Sequence, residues 1–363
     1  VALSIERLKI ERFRNLDRAE IRPGPGVNLL LGANAAGKSS LLESLFLLGR
    51  PKSFRGGVSR DWLQKGAKAF SIFAQCRSGS RERHIGVGWD GEGVKRRLDG
   101  AVANTAELAR LVPVTVFEPG MHGWLEDSPD YRRALWDWYM FHVEPNFLGT
   151  WQRYRRILQQ RNAALRTRGS LAENWDESFI AHSLLLDQMR QERILRFSPV
   201  FDCLLKNLSG ELENIELNFR PGGELTEEAL RKKLAEQSIR ERELGSTQTG
   251  AHRFDWRFSD GVGLVKRRVS RGQQKLLLLA FVLSQAKCIK MASGLEPVFL
   301  LDDFASELDG DHQSRALSLI ESMGSQVFVT ALSEESVPDE IKARSVMFHV
   351  EHGDVRSIPS QTS

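Results

Sequence analysis

The chain has 363 residues, 41% hydrophobic and 27% charged. That makes it a globular protein of one large or two moderate domains with a substantial core. A net charge of +4 and a pI of about 9.0 permit nucleic-acid contact without demanding it, so local clusters of charge matter more than the total.

In chain order, Leu3 to Ile21 alternates apolar and charged positions and predicts a strand pair, closed by the turn Pro23-Gly24-Pro25-Gly26. The next strand, Val27-Asn28-Leu29-Leu30-Leu31, feeds Gly32-Ala33-Asn34-Ala35-Ala36-Gly37-Lys38-Ser39, and an apolar helix follows Ser40. The spacing G-x-x-x-x-G-K-S between strand and helix is a phosphate-binding loop. Its backbone N–H groups would curl around phosphate oxygens at a helix N-terminus. Lys38 would neutralise the β- and γ-phosphates, and the Ser39 hydroxyl would join the shell of a Mg²⁺ ion. A glycine turn that binds nothing is the plain alternative, and the flanking strand and helix count against it.

Two strands are expected at 70–76 and 84–89, forming an antiparallel sheet beside the nucleotide core, and another at 111–119, ended by proline. From Ser128-Pro129-Asp130 the pattern turns helical. An aromatic helix spans 131–141, a basic one 151–168, and a third 174–198. A strand at 215–219 and a charged helix at 226–244 follow. The last third returns to α/β: an apolar helix after residue 275, the strand Pro297-Val298-Phe299-Leu300-Leu301, a helix from His312 to Met323, and a strand at 326–330. The tail after Val350 is expected to be short and mobile at its end. Cys76, Cys203 and Cys288 give no disulfide framework and no metal-ligand spacing. The longest apolar run, Leu276 to Leu283, is well short of the roughly 18 residues that span a bilayer. With charges in the first nine residues where a leader needs an apolar core, the expectation is a cytoplasmic protein without a membrane segment of its own.

The carboxylates Asp302 and Asp303 end a fully apolar strand, where ligands bind in parallel sheets. Asp302 would hold Mg²⁺ through its hydration shell, and Asp303 would orient or deprotonate the attacking water. Ser270-Arg271-Gly272-Gln273 stands before the apolar helix. A hydroxyl, a glycine N–H and a helix N-terminus make a second anion site there, or equally a capped helix, with Ser270 as N-cap and Gln273 at the capping-box position. Two copies packed head to tail could each use it to hold the γ-phosphate bound by the other.

Together, residues 32–39, Ser270-Arg271-Gly272-Gln273-Gln274-Lys275, Leu300-Leu301-Asp302-Asp303 and Ser306-Glu307-Leu308-Asp309 resemble the ABC-type ATPases related to SMC proteins. Phe13-Arg14-Asn15-Leu16, Lys52-Ser53-Phe54-Arg55, Arg132-Arg133 with Trp136-Asp137-Trp138, and Gln160-Arg161-Asn162-Ala163 narrow the resemblance to the RecF family of bacterial DNA replication and repair proteins. The resemblance implies an α/β ABC-type head, with a phosphate-loop sheet and a flanking antiparallel sheet, interrupted by a mostly helical lobe. The expected bounds are 1–119 and 255–363 for the head and 120–254 for the lobe.

It further implies ATP and Mg²⁺ as cofactors and slow, weak, DNA-dependent hydrolysis. An ATP-dependent homodimer would bind single-stranded or junction DNA with little sequence specificity, and RecO and RecR would be partners in loading RecA. The nucleotide site would comprise Gly32, Ala33, Asn34, Ala35, Ala36, Gly37, Lys38, Ser39 and Ser40. Lys38, Asp302 and Asp303 would be catalytic, with Ser39 and Asp302 on the metal. Ser270, Arg271, Gly272 and Gln273 would act across the dimer, and Ser306 and Asp309 would sit in the loop coupling the two sites. One departure stands out: Gly250-Ala251-His252-Arg253-Phe254-Asp255 replaces the family's Gly-Pro-His-Arg-Asp-Asp. The basic groups Lys95-Arg96-Arg97, Arg132-Arg133, Arg153 to Arg168 and Lys266-Arg267-Arg268 are expected to track phosphates. A transporter's ATP-binding subunit and an SMC-like tether are the alternatives. The large helical insertion opposes the first, and the short helices oppose the second.

Overall fold

A computed structural model describes residues 3–122, 129–167, 171–265 and 268–359. Two compact units emerge, one from Val1–His122, Asn207–Gly210 and Arg271–Ser363, the other from Gly123–Lys206 and Glu211–Ser270.

The first unit holds two six-stranded sheets. In the antiparallel one, β1 (Leu3–Phe13) lies between β2 (Leu16–Ile21) and β4 (Phe70–Ser78), and β5 (Arg81–Trp89), β6 (Val94–Leu98) and β7 (Ala101–Val102) continue it. The other runs β14 (Asp354–Ile358), β13 (Val346–Glu351), β3 (Val27–Leu31), β12 (Val327–Ala331), β11 (Val298–Leu301), β8 (Val114–Phe117). All its pairings are parallel except the β13–β14 hairpin. Burial on both faces explains why β3, β8, β11 and β12 are buried at every position. The polar exception inside β3 is Asn28. Its amide donates to Gly24 O, Gly26 O and Val327 O and accepts from Gly24 N, which fixes the Pro-Gly-Pro-Gly turn to β12. Gln326 ties the sheets together, pairing with both backbone groups of Ile5 at 2.8 and 2.9 Å.

Four helices of this unit matter below: α1 (Lys38–Gly49), α7 (Arg271–Ser293), α8 (Phe304–Glu307) and α9 (Gly310–Ser322); α2 (Thr105–Leu111) and α10 (Asp339–Lys342) complete it. By length and composition α7 would suffice to cross a bilayer, yet it is the unit's core helix, buried from Leu276 to Ala286. The hairpin β13–β14 carries the chain after Val350 back along the sheet, with β13 paired to β3 and Asp354–Ile358 paired to β13. The final residues, 360–363, lie outside the described ones.

The second unit contains α3 (Pro129–Val143), α4 (Phe147–Arg166), α5 (Asp176–Leu208, of which it holds all but the last two residues) and α6 (Glu227–Leu244), with β9 (Glu216–Arg220) antiparallel to β10 (Asp255–Ser259). That pairing puts residues 255–259 beside β9 in this unit. The start of α3 at Ser128 lies outside the described residues. The third helix does not stop at 198 but runs through Pro199 to Leu208. The carbonyl that the proline deprives of a donor is that of Leu195, a residue on the exposed side of the helix.

Candidate nucleotide site

The loop from β3 to α1 is built around two glycines that tolerate no side chain. A Cβ on Gly32 (φ +156°) would lie 2.1 Å from Val350 O, and one on Gly37 (φ +124°) 2.9 Å from Leu16 Cδ2. Residues 34–40 line a cavity of about 660 Å³, together with Arg14, Asn15, Arg55, Lys65 and Asp303 among others. The Lys38 ammonium donates to Gly32 O at 2.6 Å and Ala33 O at 2.9 Å. Burial lowers its pKa, partly offset by the charges of Asp303 and Asp302. Ser40 donates to Asn15 Oδ1 at 2.7 Å, and Asn15 to Ala35 O at 3.2 Å, so the β1–β2 turn braces the loop.

Adjacent parallel strands bring the acidic pair to the same place. Asp302, buried at the end of β11, accepts from Ser39 Oγ at 3.1 Å and from Thr330 Oγ1 at 2.8 Å. Burial pushes its carboxyl above the usual range, while those two hydrogen bonds pull it down. The Ser39 hydroxyl and the Asp302 carboxylate are hard oxygen donors, the set that suits Mg²⁺, and a divalent cation would relieve the cost of the buried charge. Asp303 adopts a left-handed conformation (φ 47°), with its N–H donating to Thr330 Oγ1 at 2.7 Å and its carbonyl accepting from Ser306 Oγ at 2.8 Å. Asp309 caps α9, accepting from His312 N at 3.0 Å and meeting His312 Nδ1 at 2.7 Å.

Arg271, Gly272 and Gln273 open α7 and do not line the cavity; the first two are exposed, as is Ser270. Lys275, one turn on, is paired to Glu307 of α8 at 2.5 Å, so the start of α7 is tied to the segment following Asp303.

Several contributors were not read as site residues, among them Asn15, Glu43, Arg14, Arg55 and Thr330. Glu43 is fully buried in α1 and takes a two-pronged bond from Arg14, at 2.7 and 2.9 Å, with Arg55 at 3.5 Å. The signal was present in Phe13-Arg14-Asn15-Leu16 and Lys52-Ser53-Phe54-Arg55, where the basic residues had no visible partner.

The basic groups divide. Arg132 is buried against Asp255, Arg161 against Asp176 and Glu241, and Lys95 pairs with Asp90 and Glu92; these are structural or neutralised. Arg133 pairs with Asp130. Lys266, Arg267 and Arg168 lie outside the described residues.

The RecF/RecN/SMC N-terminal domain family matches residues 4–355. The DNA replication and repair protein RecF of Stenotrophomonas maltophilia is 36% identical over 98% of this chain and 100% of that protein. RecF of Pseudomonas entomophila is 33% identical over 97% and 98%. A solved RecF–ATP structure of the RecFOR pathway superposes with a TM-score of 0.86 at 25% identity, covering 98% of both chains. The Smc head from Pyrococcus furiosus shares the fold alone, with a TM-score of 0.57 at 16% identity. Family model, full-length relatives and fold agree: this chain belongs to the RecF family of DNA replication and repair proteins, SMC-like ATPases of the ABC type.

Proposed function

We propose that this protein is an ATP-operated DNA clamp of recombinational repair and replication-fork maintenance: ATP closes a head-to-tail homodimer on gapped or junction DNA, and slow hydrolysis releases it. The observation that carries this reading is one cavity lined by Lys38, Ser39 and Asp303, with Asp302 hydrogen-bonded to Ser39 behind it, whose lining does not include Arg271 or Gly272. The exposed Arg271 and Gly272 at the start of α7, outside the lining of that cavity, support a role toward a second copy. In that arrangement residues 34–40 and Lys38 hold the phosphates, Ser39 and Asp302 would hold Mg²⁺, and the ion would supply charge neutralisation at the β- and γ-phosphates. Asp303 orients the attacking water, and Ser306 and Asp309 relay the state of one site to the other. RecO and RecR as partners, with RecA loading as the outcome, follow from family membership, as does a cytoplasmic location.

Sedimentation with and without ATP and Mg²⁺, paired with filter binding to gapped DNA, tests the reading. ATP should double the mass and raise DNA affinity. Unchanged mass and affinity would refute it, and a Ser270→Arg protein that still dimerised normally would remove the cross-dimer role.

A further inference from the structure

Helix α4 differs from its neighbours in charge. Its sequence, FLGTWQRYRRILQQRNAALR, holds five arginines and no aspartate or glutamate. By contrast, α6 in the same unit carries five acidic and five basic residues, cross-linked by pairs such as Glu227–Arg231 at 2.8 Å and Lys233–Glu236 at 3.5 Å. A merely solvated helix face has that mixed character. On α4, only Arg161 turns inward, to carboxylates at 2.7 and 2.8 Å. The other four, Arg153, Arg155, Arg156 and Arg166, are exposed. Among the described residues Arg153, Arg155 and Arg156 have no carboxylate partner; Arg155 lies over the Trp151 ring at 5.2 Å, and Arg166 keeps one donor on Gly245 O.

At 3.6 residues per turn these four flank Gln152, Gln159 and Gln160 on the side opposite buried Tyr154, Ala164 and Leu165. The outward face is thus a strip of hydrogen-bond donors without a counter-charge. Arg153 to Arg166 spans about 20 Å at 1.5 Å per residue. A duplex presents one phosphate charge per about 1.7 Å of its axis, so the strip can meet several at once. No large hydrophobic side chain is exposed on it, and a protein-binding face would need an apolar anchor at its centre.

We propose that the outward face of α4 contacts the phosphate backbone of nucleic acid, independent of sequence. The assignment rests on the DNA-binding reading given above and adds the surface that does it. The test is fluorescence anisotropy of a labelled gapped duplex with ATP and Mg²⁺, from 50 to 200 mM KCl. It compares the parent chain, the triple variant Arg153→Gln/Arg155→Gln/Arg156→Gln, and the control Arg231→Gln/Lys232→Gln/Lys233→Gln on α6. Three lost phosphate contacts should flatten the log K against log salt slope by about two to three and weaken binding at least about tenfold at 100 mM, with the α6 control near the parent. Equal melting temperature and DNA-free ATP turnover in the α4 variant will show that folding is intact. An unchanged slope overturns the assignment and leaves the face to an acidic protein surface. Weaker binding at an unchanged slope overturns the phosphate contact as well. A parent chain that fails to bind DNA with ATP sinks the clamp reading itself, a result distinct from either.

Discussion

Glu43→Gln is the substitution that tests how the nucleotide cavity is held. Glu43 is fully buried one turn into α1, and its carboxylate is the counter-charge of two arginines lining the cavity. Arg14 is fixed by more than this pair: its backbone is left-handed (φ 54°), its N–H donates to Trp62 O at 2.8 Å and its Nη1 to Asp61 O at 2.7 Å. Breaking a buried pair from one side costs about 3–5 kcal/mol. The Arg14 side chain is 21% exposed and Arg55's 45%, so water recovers part of that, leaving about 2–3 kcal/mol.

Two effects compete at the nucleotide. Removing the carboxylate leaves more positive charge near bound phosphates, which favours binding. It also releases the two guanidinium groups from their fixed positions, which disfavours it. Fixed geometry is the larger contribution where donors must converge on one triphosphate, so ATP affinity should fall about tenfold, or ~1.4 kcal/mol. Calorimetric titration with ATP, beside a thermal melt, reads both numbers. Tighter ATP binding by Glu43→Gln would show that the residue merely neutralises charge; a parental melt and parental affinity would refute both halves. The double variant Glu43→Gln/Arg14→Met should regain stability without regaining ATP affinity, since it removes the stranded charge but not the disorder of the cavity wall.

Three more outcomes are expected. Asp303→Asn should retain ATP binding and stall phosphate release; parental turnover would remove Asp303 from the chemistry. Thr330→Val takes away both the donor to Asp302 and the acceptor for Asp303 N, at about 1–3 kcal/mol for the buried groups left unpaired, with ATP turnover falling too. Parental stability and turnover would count against that bridge. His252 is pushed down to about 4, chiefly by burial, so between about pH 4 and 6.5 the unfolded chain binds a proton the folded one does not. Its contribution is fully present above pH 6.5 and lost as pH falls through 4, about 3 kcal/mol in all. Asp187, raised to about 6 by burial, has the opposite sign, so the readout is the difference between His252→Gln and parent: thermal melts from pH 7.5 to 4.5 should fall less steeply in the variant, and parallel curves would refute the assignment.

What the sequence made legible was chemistry that is local along the chain. Residues 32–39 sit between a strand and a helix in eight consecutive positions, and Asp302-Asp303 close an apolar strand, so each motif carries its own context. Glu43, Arg14 and Arg55 were opaque because the carboxylate serving them comes from the buried face of a helix that reads as apolar. Thr330 was opaque because only the β12–β11 register brings it to Asp302. The same principle hid β6, whose Lys95-Arg96-Arg97 reads as a charge run; alternation across the pleat leaves Arg96 half-buried between two exposed side chains. The expected helix end at 198 precedes Pro199, which removes one hydrogen bond yet lies within a helix that continues to Leu208.

The departure at residues 250–255 has a physical basis in the loop's hydrogen bonds and packing. A proline at 251 would have no N–H, whereas Ala251 N donates to the buried Ser183 Oγ at 2.8 Å. The loop's shape is then held by hydrogen bonds rather than by ring stiffness: Gly250 N to Gly222 O at 3.1 Å, Arg253 N to Gly250 O at 2.9 Å and His252 N to Tyr154 Oη at 3.1 Å. At 254 a carboxylate is replaced by a fully buried phenyl ring, and Arg190 lies 3.5 Å over its face. Arg190 does not lack counter-charge in consequence. Asp137 at 3.0 Å and Asp187 at 3.4 Å supply it, and Ala251 O accepts a further donor at 2.7 Å. A buried guanidinium needs its charge matched and its donors filled, and the π face of Phe254 adds to the first without needing a proton or a solvent path. The loop is therefore anchored by Arg190 through hydrogen bonds and the packed ring of Phe254. It remains a structural hub of the second unit, where Arg132, Arg161 and Arg190 are all committed to carboxylates.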